Sequence, residues 1–213
     1  MSQDFYSSKG YLIIDEIINI VQTNKSYLSE IDGAIGDGDH GINMNKGVTK
    51  CQKKIEGKKV NLSEGFKTLG MTLLTEIGGA IGPLYGTFFL EMAKVTNGNK
   101  KINKRLFSEM LHAALNGMQE IGPAEEGDKT LIDSLLPAIT AYDSAIQDGK
   151  SFAQALEELK AAAEKGKEST KNFVAKIGRA SRLGERSRGV LDPGATSCNF
   201  ILQAISDTII SLL

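Results

Sequence analysis

The sequence has only two cysteines, no long apolar run and almost no net charge. Cys51 and Cys198 stand alone, without the spacing of a metal-binding motif, which predicts reduced thiols in the cytoplasm. A formal net charge of −1 gives no electrostatic basis for binding nucleic acid, and no basic cluster suggests a membrane surface. No segment resembles a signal peptide or is apolar enough to span a bilayer. These absences predict a soluble cytoplasmic protein with neither nucleic-acid nor membrane partners.

Sustained alternation of apolar and polar residues is also scarce, whereas apolar residues recur at helical spacing along most of the chain. In one such stretch, Phe66, Leu69 and Leu73 follow the i, i+3, i+4 rule. The predicted helices cover residues 8–30, 43–55, 61–77, 84–97, 103–121, 131–148, 152–177 and 193–213. Short connections and the absence of a long linker predict one all-α domain over residues 1–213, an eight-helix antiparallel up-and-down barrel or bundle.

The helical pattern is interrupted most clearly at residues 32–43, 78–83, 122–130 and 178–194. These four breaks follow the first, third, fifth and seventh predicted helices. Alternate connections of an up-and-down bundle lie at the same end, so we expect the four breaks to converge there.

The first break carries three carboxylates, Asp32, Asp37 and Asp39, among four glycines. Carboxylates this close repel one another unless a cation lies between them, and oxygen ligands on a flexible loop suit Mg²⁺ or Ca²⁺. Asp and Gly also favour turns and helix caps, an alternative that explains one or two of the acids but not all three. The sequence therefore favours a divalent-metal site.

The other breaks carry groups that suit an anion. Residues 78–83 (GGAIGP) supply bare backbone amides at a helix start, although small residues there also suit close helix packing. Lys129 and Thr130 fit either a phosphate contact or a capped surface turn. Arg179, the first of four arginines between residues 179 and 188, lies in the most basic stretch, where most arginines should be solvated. Converging acids, amides and arginine point to a metal-bridged nucleoside phosphate.

Seven motifs, in the same order along the chain, resemble those of one protein family. They are IGDGDHGINM (35–44), GMTLL (70–74), GGAIGPLYGTFF (78–89), GDKT (127–130), GRAS (178–181), LGERS (183–187) and DPGATS (192–197). The family is the nucleotide-binding L subunit of bacterial dihydroxyacetone kinase, the type driven by the phosphoenolpyruvate phosphotransferase system. The resemblance extends over nearly the whole chain.

The resemblance implies an eight-helix barrel that holds ADP and two Mg²⁺ ions in the loops at one end. By motif matching, the metal ligands would be Asp32, Asp37 and Asp39, and Arg179 would be catalytic by stabilising transferred charge. Ile81 is apolar where relatives are expected to carry a small or hydroxyl residue, so its contact would be through the backbone. The implied nucleotide contacts are His40, Gly41, Ile42, Asn43, Ala80, Ile81, Gly122, Leu131, Arg179, Asp192, Pro193 and Gly194.

The resemblance also implies a phosphotransferase activity shared with two partner subunits. ADP would be a bound coenzyme that is rephosphorylated to ATP by a phosphohistidine of the M subunit. The γ-phosphoryl group would then pass to dihydroxyacetone, held covalently on a histidine of the K subunit, so His40 would not be the substrate anchor.

Three alternatives remain open from the sequence. Two are the nucleotide domains of an ATP-dependent dihydroxyacetone kinase and of a fatty acid kinase, and a chain of 213 residues favours a separate subunit over both. The third is a regulatory paralogue without catalysis that binds ADP and a partner protein. Intact Asp32, Asp37 and Asp39 favour retained chemistry.

Overall fold

The computed structural model describes residues 4–213, which form an all-α fold with one very short antiparallel sheet. The strands are β1 (Asp4–Tyr6) and β2 (Lys101–Asn103), with Phe5 opposite Ile102. Three 3₁₀ turns cover Ser7–Lys9, Thr170–Asn172 and Arg179–Ser187. The α-helices of this part of the chain are α1 (Gly10–Thr23), α2 (Lys25–Ile35), α3 (His40–Ile55), α4 (Leu62–Glu76), α5 (Ile81–Thr96), α6 (Lys104–Ile121), α7 (Ile132–Gln147), α8 (Phe152–Ser169) and α9 (Pro193–Leu212).

The helices pack in a closed ring around one hydrophobic core. From α4 to α9, each helix packs against the next, and α9 returns to α1, which contacts both α3 and α4. Phe66 stacks on Phe89, and Phe107, Tyr142 and Phe152 form a second aromatic cluster in the interior. The predicted all-α class and barrel architecture are therefore confirmed. Within residues 4–213, no helix has both the length and the apolar character needed to cross a membrane.

The structure corrects three predicted boundaries. The helix predicted over residues 8–30 is divided at Asn24, whose side-chain amide donates to the carbonyl oxygen of Ile20 at 2.8 Å. Its second part, α2, continues to Ile35, so Asp32 lies in the last turn of a helix and not in a loop. The helix predicted over residues 152–177 ends at Ser169, and β1 was not predicted because three residues are too few to show alternation.

Several helix starts are fixed by local side-chain bonds. Asn61 accepts from the backbone N–H of Glu64 at 3.0 Å, and Glu64 accepts from Asn61 in return. Asn103 accepts from Leu106 at 2.9 Å. Side chains of this type satisfy backbone N–H groups that have no partner within the helix. The starts of these two helices could therefore be predicted from the local sequence.

The close contact between α7 and α8 depends on one proline and one glycine. Pro137 lies inside α7 and removes the N–H that would reach the carbonyl oxygen of Asp133. Gly166 of α8 packs directly on that carbonyl, where a Cβ atom would clash with the oxygen. The missing side chain therefore lets α8 pack on a backbone oxygen that lacks its usual donor, the N–H four residues on.

We expect Gly166→Ala to lower the free energy of unfolding by about 1–3 kcal/mol, the usual cost of overpacking a tight contact. Gly33→Ala is the control, because a Cβ there meets only an ordinary contact at 3.9 Å and alanine favours the helix. Urea titration followed by circular dichroism measures both variants. A Gly166→Ala variant as stable as the starting protein would contradict this account of the contact.

Candidate functional site

A cavity of about 260 Å³ opens at one end of the helical ring. It is lined from segments 32–43, 78–85, 129–131, 177–180 and 192–194. Each of the four predicted breaks in the helical pattern contributes to this lining. Loop order along the chain therefore predicted the position of the cavity.

Asp32, Asp37 and Asp39 come together at the rim of the cavity. One carboxylate oxygen from each lies within 4.8 Å of the others. Asp32 is in the last turn of α2, and Asp39 immediately precedes α3 without capping it through its side chain. The donor set fits Mg²⁺, which binds few protein carboxylates and keeps several of its waters.

Backbone geometry holds Asp32 in this cluster. Its carboxylate accepts from the backbone N–H of His40 at 3.2 Å, which ties the end of α2 to the start of α3. A Cβ atom at Gly36 would clash with that carboxylate and lie 3.0 Å from the carbonyl oxygen of Asp32, so a larger residue would displace the carboxylate from the cluster. Gly38 has φ +76°, a conformation that favours glycine. These glycines are therefore required by the tight turn that brings the three acids together.

The side chain of His40 points away from the carboxylates into a buried hydrogen-bond chain. Its Nε2 lies 2.8 Å from Ser197 Oγ, which lies 2.6 Å from Tyr85 Oη. Tyr85 also donates to the carbonyl oxygen of Gly194 at 3.0 Å. Burial lowers the pKa of His40 to about 4, so the ring is neutral at physiological pH. This chain connects α3, α5 and α9 beneath the cavity.

The start of α5 presents backbone amides to the cavity. Ala80 is the N-cap residue without a side-chain bond, and the first N–H groups of a helix have no partners within it. Ideal Cβ atoms at Gly78 and Gly79 would meet nothing within 4 Å, so these glycines are not packed against another helix. Their exposure favours the anion-binding interpretation of residues 78–83 over helix packing, which applies only to Gly82.

Arg179 pairs with Asp37 across the mouth of the cavity. Its side chain is 61% exposed, so it can change partners at little cost. Arg188 is bonded to Glu185, while Arg182 and Arg186 are exposed and do not line the cavity. One of the four arginines therefore faces the site.

Asp192 caps α9 at the floor of the cavity. Its carboxylate accepts from the backbone N–H of Ala195 at 2.7 Å, and Pro193 follows at the first helical position. Burial raises the pKa of Asp192 to about 7, against the lowering effect of the Ala195 bond and of Lys129. A Cβ atom at Gly194 would lie 3.0 Å from this carboxylate and 3.4 Å from the backbone nitrogen of Leu131.

The loop before α7 is closed by acidic side chains. Asp133 accepts from the backbone N–H groups of Gly127 at 2.5 Å and Thr130 at 2.7 Å. Asp128 bonds Lys176 at 2.9 Å. Lys129 is buried and donates to two backbone carbonyls, so it is neither an exposed phosphate contact nor part of a solvated turn.

A smaller apolar recess of about 120 Å³ adjoins the cavity. The two share Leu84, Thr130, Leu131 and Ile177. Beyond these four, the recess is lined by Met118, Gly122, Pro123, Ala124 and Ile132. The site therefore joins a cavity that bears carboxylates to an apolar recess.

Most of the predicted site residues line the cavity. They are Asp32, Asp37, Asp39, His40, Asn43, Ala80, Ile81, Leu131, Arg179, Asp192, Pro193 and Gly194. Gly122 lies in the recess instead, and Ile42 is 51% exposed outside the lining. Gly41 packs against α2, where a Cβ atom would clash with the carbonyl oxygen of Lys25.

The sequence prediction missed three residues of the apolar and aromatic lining, Leu84, Tyr85 and Ile177. Tyr85 and Leu84 look like ordinary core positions of an amphipathic helix, and Ile177 was placed inside a helix. Leu84 and Tyr85 lie within the motif at residues 78–89, and Ile177 directly precedes the motif at residues 178–181, so these positions were the available signals of a role.

The chain was compared with protein families, curated proteins and solved structures. The model of the DAK2 domain matches residues 34–207. "PEP-dependent dihydroxyacetone kinase, ADP-binding subunit DhaL" of Escherichia coli is 40% identical over 88% of this chain and 90% of its own length. "PEP-dependent dihydroxyacetone kinase 1, ADP-binding subunit DhaL" of Listeria innocua is 41% identical over 90% of this chain and 91% of its own length. The crystal structure of the C. freundii dihydroxyacetone kinase (native form) aligns with a TM-score of 0.71 at 25% identity, covering 92% of this chain and 33% of that one.

We expect Asp37→Asn to weaken Mg²⁺ binding by about tenfold or more, because affinity for hard cations follows the number of charged ligands. The helical circular dichroism should not change, since the variant relieves repulsion and loses only an exposed ion pair. Titration calorimetry with Mg²⁺ measures the affinity. The control is Asp148→Asn, which changes an exposed carboxylate at the C-cap of α7. Loss of helical structure in Asp37→Asn would instead support the turn-and-cap interpretation of the acids.

Proposed function

Since the chain belongs to the DAK2 domain family, we propose that it is the ADP-binding subunit of a phosphoenolpyruvate-dependent dihydroxyacetone kinase. Residues 1–213 would form a single nucleotide-binding domain that acts in the cytoplasm. The observation that carries the proposal is that the carboxylate cluster and the apolar recess open into one cavity. A nucleotide needs both features, a polar site for its phosphates and an apolar slot for its base.

The phosphates would lie between Asp32, Asp37 and Asp39 on one side and the start of α5 on the other. Three carboxylates can hold two Mg²⁺ ions, which would neutralise charge on the phosphates and on the group being transferred. The amide groups at Ala80 and Ile81 suit phosphate oxygens, because a helix N-terminus favours anions. The apolar side chain of Ile81 does not interfere with such a backbone contact.

The proposed base site is the recess beside Gly122 and Leu131. Both residues match nucleotide contacts implied by the family resemblance, and both line the recess. Asp192, Pro193 and Gly194 form the floor between the recess and the carboxylates, where the ribose would lie. His40 supports this floor through Ser197 as a neutral ring, and neither donates a proton nor anchors a substrate.

Phosphoryl transfer demands positioning and charge neutralisation from this chain more than a nucleophile or a base. The donor would be a phosphohistidine of the M subunit, and the final acceptor a hydroxyl of dihydroxyacetone held on the K subunit. ADP would remain bound between them as a coenzyme. Arg179, which pairs with Asp37 at the mouth of the cavity, is placed to move onto the transferred group and stabilise its charge.

Single-turnover transfer tests the proposal. The chain is loaded with Mg-ADP, freed of unbound nucleotide, and mixed with phosphorylated M subunit, K subunit and dihydroxyacetone. Triose phosphate should form only when all components are present, and Asp148→Asn should behave as the unchanged protein. Absence of product from the complete mixture would refute the proposal. Repeated turnover with free ATP alone would favour an ATP-dependent kinase, and ADP binding without any transfer would favour a regulatory protein.

The position of the base is tested by filling the recess. Gly122 has φ −151°, which suits any residue, and a Cβ atom there meets nothing within 4 Å. We expect Gly122→Val to weaken ADP binding by about 10- to 200-fold, the usual range for steric exclusion in an apolar pocket. Binding of Mg-pyrophosphate, which has no base, should not change. Glu120→Val, at an exposed position nearby, is the control, and equal losses for ADP and pyrophosphate would place the base elsewhere.

A further inference from the structure

Lys129 is a buried lysine in the wall of the cavity. It is only 2% exposed, and it is the one residue other than glycine with a positive φ, 63°, between residues 4 and 213. Burying an ammonium group is unfavourable, and the left-handed backbone adds strain for any residue with a side chain. A simple connection between α6 and α7 needs neither a buried lysine nor a left-handed residue. The contacts of the Lys129 side chain must therefore account for both features.

The ammonium of Lys129 joins three segments that are far apart in the sequence. It donates to the carbonyl oxygen of Thr170, just after α8, and to that of Val190 at 2.5 Å. The hydroxyl of Thr170 accepts in turn from the backbone N–H of Asp192 at 3.0 Å. One cation therefore connects the loop before α7, the end of α8 and the segment that leads into α9.

The connected segments form one wall of the cavity. Thr130 and Leu131 directly follow Lys129, and residues 192–194 begin two positions after Val190. The two lining segments touch, since a Cβ atom at Gly194 would lie 3.4 Å from the Leu131 nitrogen. The bonds of the ammonium therefore hold the two segments together on the side of the wall away from the cavity.

The charge of Lys129 has no ion-pair partner within the described residues. Burial lowers the pKa of Lys129, while the nearby charges of Asp192 and Asp133 raise it. Lys167 is a useful comparison, because it is 8% exposed but pairs with Glu164 at 2.6 Å and does not line the cavity. Lys129 instead donates to two backbone carbonyl oxygens, as expected of a group that holds chain segments in place.

We propose that Lys129 is a positioning residue for nucleotide binding, which holds segments 129–131 and 192–194 of the cavity wall against each other. This inference rests on the proposed function and adds a residue outside the contacts that the family resemblance implies. Lys129 acts through the wall and is not itself a catalytic residue.

The test compares Lys129→Met, Lys129→Gly and Lys129→Arg with Lys167→Met as the matched control. Mg-ADP binding is measured by calorimetry at a temperature where circular dichroism shows every variant folded. We expect Lys129→Met to bind about 10- to 100-fold more weakly, the range typical when a group that orients a binding residue is removed. Lys129→Gly should lose as much although glycine relieves the backbone strain, and Lys129→Arg should restore part of the affinity.

Amide hydrogen exchange without nucleotide tests the wall contact directly. In Lys129→Met, the N–H groups of Asp192 and Ala195 should exchange faster than in the unchanged protein, while Lys167→Met should leave them unaffected. Unchanged exchange, or full ADP affinity in Lys129→Met or Lys129→Gly, would overturn the inference while leaving the proposed function intact. If Lys129→Met does not fold, Lys129→Gly and Lys129→Arg decide the question. An unchanged protein that binds no ADP would refute the proposed function itself.

Discussion

The electrostatic repulsion among Asp32, Asp37 and Asp39 is the constraint on which the site depends. Three carboxylate oxygens within 4.8 Å of one another raise the energy of the folded chain unless positive charge compensates them. The tight turn through Gly36 and Gly38 holds the acids together despite this cost, and Arg179 is the nearby cation. Such an arrangement favours binding partners that bring positive charge with them, as a magnesium–nucleotide complex does.

The helical ring supplies rigidity where the loops cannot. Apart from the mostly exposed segment 177–180, each lining segment is the end or the beginning of an α-helix of the ring, so the cavity is shaped mainly by the relative positions of helix ends. Two buried hydrogen-bond networks then join these segments: the chain from His40 through Ser197 to Tyr85 links three helices, and Lys129 links three connecting segments. Pre-organisation of this kind reduces the ordering that a ligand must impose when it binds.

Much of the architecture could be predicted because its signals are local. Asn61, Asn103 and Asp192 mark helix starts through side chains that bond the backbone N–H groups of the next few residues. Counting the helices then showed which connections lie at the same end of the bundle. The division at Asn24 was missed because the apolar spacing continues across it, and the strand that pairs Phe5 with Ile102 was missed because three residues are too few to show alternation. Lys129 was interpreted as either a phosphate contact or part of a capped surface turn, and both interpretations were wrong because the burial of a lysine cannot be read from residue type.

The residues that line the cavity come from both halves of the chain, from 32–43 in the N-terminal half to 192–194 in the C-terminal half. A ligand that fills it therefore acts as a reversible cross-link between remote segments, and no contiguous fragment contains the whole site. Binding energy is then also folding energy, because only the native ring presents all the contacts at once. A tightly held coenzyme would in this sense be a structural component of the protein that carries it.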